Sequence, residues 1–94
     1  MDNSIAGALL DSELQCLRIL SYSGLVTLIG SNDNKEVVGR DGETYQLEID
    51  VLWDEPKMKN VRVVVSADDG KGWRSLAPLT RSFIKRPDGA LLAE

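Results

Sequence analysis

The side chains of this chain that could do chemistry fall into four small groups. They are the acid pairs Asp54-Glu55 and Asp68-Asp69, the glycine-flanked Lys71, the neighbours Trp73 and Arg74, and the single Cys16. Two converging acid pairs would suit a magnesium or calcium ion, and a lysine between glycines would suit a phosphate. An indole beside a guanidinium could stack on a ligand or anchor a partner. The chain has no histidine, so the side chain most used for acid–base catalysis and zinc ligation at neutral pH is missing.

The geometry implied by the sequence thins this set. Asp54-Glu55 and Asp68-Asp69 close two consecutive strands. In a symmetric hairpin Trp53 faces Val61 and Leu47 faces Ala67, so the two acid pairs lie at opposite ends of the ladder. A joint cation site is thereby disfavoured, and each pair reads as a solvated turn. Asp68-Asp69-Gly70 lacks the later ligands and the terminal glutamate of a calcium loop. Gly70-Lys71-Gly72 has neither the spacing of a phosphate loop nor a hydroxyl directly after its lysine. Trp73 and Arg74, with Asp68 and Asp69 beside them, are left as the candidates for binding a ligand or partner, although a tryptophan in so small a domain is also a natural core residue. No catalytic group, metal ligand or cofactor fingerprint is expected. Cys16 excludes an internal disulfide, and its place among Leu14, Leu17 and Leu20 reads as a small buried hydrophobe.

The elements that position these groups follow from hydrophobic spacing. From Thr44 to Trp53 the apolar residues Tyr45, Leu47, Ile49, Val51 and Trp53 fall on alternate positions, with Gln46, Glu48 and Asp50 between them. This is a strand with one dry and one wet face. Val61, Val63, Val65 and Ala67 continue the dry face on the next strand. Upstream, Glu36-Val37-Val38 reaches the long strand through a turn set by Asp41-Gly42; downstream, Ser82–Lys85 and Ala90-Leu91-Leu92 flank Arg86-Pro87-Asp88-Gly89 as a last short hairpin. Leu10, Leu14 and Leu17, with Ile5 and Leu9, form a helical stripe over residues 4–22, capped at Ser4 or Ser12 and stopped at Gly24. Residues 25–29 suit a strand or a prolonged helix, and Ser31–Asn34 suits a loop. The expectation is a single α+β domain over residues 1–94: an N-terminal helix packed on one face of a four- to five-stranded antiparallel meander. Trp53 and Val63 should share one core with Leu14 and Leu17.

Alternation fails at Leu52 and Val64, which places two apolar side chains on the wet face of adjacent strands. They are candidates for a homodimer interface, unless residues 90–92 cover them within the chain.

Charge bounds the partner. Residues 1–55 carry eleven acids and three bases, residues 56–94 four acids and eight bases, and the net charge is -4. Arg81, Lys85 and Arg86 are too few for a nucleic-acid surface. No apolar stretch is long enough to span a bilayer, and Met-Asp-Asn-Ser does not begin a signal peptide, so a cytoplasmic protein is expected.

The C-terminal half reads Trp53-Asp54, Asp68-Asp69-Gly70, Gly72-Trp73-Arg74, Pro78-Leu79-Thr80, Ser82-Phe83-Ile84 and Pro87-Asp88-Gly89. In this order it resembles a group of small bacterial domains to which no chemical role is attached, and the chain is also similar to gene-cassette products and immunity-type proteins. The resemblance implies strands and no activity. Two functions remain open: a non-catalytic protein-interaction or immunity-type module, and a small-molecule-binding protein or minimal enzyme with its site near Trp73 and Arg74.

Overall fold

The computed structural model describes residues 2–55, 57, 59–68 and 79–92. The chain enters a helix at once, because Asp2 is extended and its Oδ1 accepts from the amides of Ser4 at 2.9 Å and Ile5 at 3.1 Å. Neither serine expected as the cap is used. Helix α1 covers Asn3–Arg18 and buries Ile5, Ala6, Leu10, Leu14 and Leu17. The single helix expected over residues 4–22 is in fact two. After Arg18 the chain turns, Ser21 becomes extended, and its Oγ accepts from Gly24 N to start α2, Tyr22–Val26. Gly24 therefore lies inside a helix and does not stop one. Residues 27–30 continue in turns, with Leu28 N donating to Leu25 O and Ile29 N to Val26 O, which rules out the strand reading of residues 25–29.

Five antiparallel strands follow in the spatial order of the chain: β1 Asn32–Val38, β2 Thr44–Glu55, β3 Asn60–Asp68, β4 Leu79–Lys85 and β5 Leu91–Leu92. The segment expected as a loop at Ser31–Asn34 is mostly β1, since backbone pairing with β2 overrides the local preference of Asn and Asp for turns. The β2–β3 register is the symmetric one, with Trp53 opposite Val61 and Leu47 opposite Ala67.

The hairpins β1–β2 and β4–β5 use the same turn. Gly42 N donates to Gly39 O and Gly39 N to Glu43 O; Gly89 N donates to Arg86 O and Arg86 N to Ala90 O. In each, an aspartate caps the amide two residues on, Asp41 to Glu43 and Asp88 to Ala90. Gly42 and Gly89 hold φ of 81° and 88°, a conformation that costs any other side chain strain.

The core lies between the helices and the inner sheet face: Tyr45, Leu47, Ile49, Val51, Val61, Val63, Val65, Ala67 and Phe83 meet Leu10, Leu14, Leu17 and Leu25. Two expectations fail here. Trp53 is 38% exposed and outside this core, because α1 packs chiefly over β3 and β4 and leaves the end of β2 uncovered. Cys16 is exposed, because it stands two residues, about 200° of helical turn, from the buried Leu14.

Candidate interaction surface

Both helices occupy one side of the sheet, so every second residue of each strand stands on the other side, with no helix over it among the described residues. The pairings order this open face into rows. Glu36, Gln46 and Asp68 form one; Asn34, Glu48, Ser66 and Thr80 the next; then Asn32, Asp50, Val64 and Ser82; then Leu52, Arg62, Ile84 and Leu92.

Leu52 and Val64, expected from the broken alternation, come together. They occupy adjacent rows and line one shallow groove of about 400 Å³ with Val51, Gly30, Asn32 and Asp50. Leu52 is 41% exposed and Val64 partly buried. The groove's rim is fixed by polar bonds. Gly30, at a φ of 87°, donates its amide to Val51 O at 3.0 Å, and Asn32 Nδ2 donates to Asp50 Oδ1 while its own Oδ1 accepts from Asn34 Nδ2. On the far side of Leu52, Arg62 places Nε 2.9 Å and Nη2 2.8 Å from Asp54 Oδ1. Residues 91–92 do not cover the patch. β5 sits at the opposite edge, and Leu92 pairs with Ile84, two strands from Leu52.

The open face is acidic. Glu36, Glu48, Asp50, Asp54 and Asp68 stand there, with Arg62 as the one cation among the described residues. Gln46 Nε2 donates to Glu36 and Asn32 to Asp50, which hold these carboxylates in place without neutralising them. Asp68 pairs with Gln46 at one end of the ladder, and Asp54 and Glu55 lie at the other, so Asp68 does not converge with them. No three potential metal ligands gather among the described residues. Trp73, Arg74 and Asp69 lie outside the described residues.

Sequence reasoning missed Asn32 and its neighbours because a run of Asn and Asp imitates a loop. It also missed two polar groups that hold the scaffold. Lys85 is only 7% exposed, and its Nζ donates to Arg18 O at 2.8 Å and Leu20 O at 2.6 Å, closing the end of α1. Tyr45 is buried, and its hydroxyl donates to Asp41 Oδ2 at 2.8 Å. Desolvation would push the Asp41 carboxyl up, but bonds from the Glu43 amide and the Tyr45 hydroxyl outweigh it and hold the group below its ordinary value. Burial, then the facing Asp41, push the phenol up.

No family model, curated protein or solved structure matches the chain. The functional reading therefore rests on the surface itself.

Proposed function

We propose that this protein is a small, single-domain, non-catalytic interaction module, of the general or immunity type, that docks a protein partner on its open sheet face around Leu52 and Val64. The carrying observation is the groove of about 400 Å³ that opens at these two side chains beside the polar residues Asn32, Glu48 and Asp50 of the same face. An apolar pocket within a polar rim is the anatomy of a protein contact. The molecule measures 40 × 23 × 22 Å, so its broad side has room for the roughly 800 Å² that each partner of a specific complex buries.

Docking on the face is favoured over strand addition at an edge. β5 has two residues, and β1 turns the charged Asp33 and Lys35 toward the helix side, opposite Ile49 and Leu47. Short edges and inward-pointing charges both oppose addition of a further strand. An exposed single thiol, Cys16, suits a reducing compartment, and we place the protein in the cytoplasm. No helix among the described residues is long and apolar enough to cross a membrane.

The test is capture of partners from the host's lysate with tagged wild type and Leu52→Asp, alongside sedimentation of both proteins alone. A partner or self-association held by wild type and lost in the variant is the expected result. Binding that survives the substitution would move the interface elsewhere.

A further inference from the structure

Resting on the reading of the open face as a docking surface, we infer that its occupant is a cationic protein segment carrying Lys or Arg beside an apolar side chain, and not a second copy of this chain. Two features on the same strands carry this. The groove at Leu52 and Val64 accepts one apolar group, and Glu48 and Asp50 precede Leu52 on alternate positions of β2, on the same side of the sheet. Glu36 extends the acidic field along the face in the row beyond Glu48. A bound segment that seats an apolar side chain in the groove would set its neighbouring cations against Glu48 and Asp50, where charge-assisted bonds are available, bidentate in the case of Arg.

Charge also discriminates among occupants. A second copy docked face to face would bring Glu48 and Asp50 against the same acidic field, with Arg62 already held by Asp54. Nucleic acid and anionic lipid meet the same repulsion. A cationic partner is instead steered in, and that attraction falls with salt because the screening length is only about 10 Å at 0.1 M.

The test is an amide chemical-shift titration of the full chain with a short capped peptide, Lys-Leu-Arg-Lys, and with its counterpart Glu-Leu-Glu-Glu. The same titration is run on the double variant Glu48→Gln/Asp50→Asn, whose amides keep an acceptor for Asn32. The cationic peptide should shift residues 46–52 and 62–66, the anionic peptide should not, and the double variant should bind about five- to tenfold more weakly. Shifts confined to the helix side, equal affinity in the double variant, or no shift at all would overturn the assignment. Sedimentation separates the two levels of the argument. A wild-type dimer abolished by Leu52→Asp would overturn the cationic occupant while keeping the face as an interface, whereas peptide shifts and self-association both insensitive to that substitution would sink the docking surface itself.

Discussion

Val63 and Asp41 mark the two kinds of residue on which this small domain depends. Val63 is fully buried at the centre of β3, opposite Val51 and Phe83. Removing two methyl groups there loses their transfer energy and leaves a cavity that a packed sheet and helix cannot close. Val63→Ala is expected to cost about 1–3 kcal/mol in denaturant melts, with no change in cooperativity. Asp41 acts by charge. Its carboxyl is held below 3.8 by the Glu43 amide and the Tyr45 hydroxyl, against the opposing effect of desolvation. A carboxyl depressed in the folded state adds stability that is complete above its unfolded value and is lost as pH falls through the folded value. Wild type should therefore exceed Asp41→Asn in stability at neutral pH, and the difference should shrink below about pH 4. A gap that stays constant from neutral to acid pH would show that the carboxylate charge is not what Tyr45 needs.

The elements carry their own devices at their ends and edges. The C-terminal carbonyls of a helix have no partners within it, and in α1 a lysine from β4 supplies them: the Lys85 amine meets both Arg18 O and Leu20 O at the negative end of the helix dipole. This contact links the last turn of α1 to the strand beneath it. Lys85→Met keeps the aliphatic stem and deletes the donor, and should cost about 1–3 kcal/mol in thermal melts followed at a helical wavelength. On the first edge, Lys35 turns inward and lies 2.7 Å from Glu13 of α1. That pair is half open to solvent and adds little stability, on the order of 0.2–1 kcal/mol. Its larger effect is on what the edge can join. Lys35→Val should leave the melting curve nearly unchanged yet raise self-association with concentration in light scattering, because a strand freed of its inward charge becomes a better template for another strand. A variant that stays monomeric at all concentrations would place edge protection in the Asn-rich sequence of β1 itself.

At the scale of the molecule, the two faces of the sheet differ in what covers them among the described residues. Helices cover one face and close the core cluster against it, while the other face keeps Leu52 at 41% exposure on the strand whose Leu47, Ile49 and Val51 turn inward. A substitution of the exposed Leu52 should therefore be nearly neutral to folding. Leu52→Asp is expected to change unfolding free energy by no more than about 0.5 kcal/mol. A loss comparable to that of Val63→Ala would mean that Leu52 belongs to the fold and could not serve as a free contact.

The sequence by itself determined β2 and β3, their register and the two faces, because a period of two is local and leaves one pairing that keeps Tyr45, Leu47, Ile49 and Val51 on the same side as Val61, Val63, Val65 and Ala67. It also determined that Leu52 and Val64 break that rule together. Only the tertiary structure decided where the helical layer ends. Whether Trp53 is covered, whether Cys16 faces solvent, and whether the chain bends at Ser21 depend on which strands α1 lies across and on a lysine 65 residues away in sequence reaching Leu20 O. β1 belongs to the same class. Its Asn and Asp residues carry no strand signal, and it exists because β2 offers a row of backbone partners, an interaction that side-chain periodicity cannot encode.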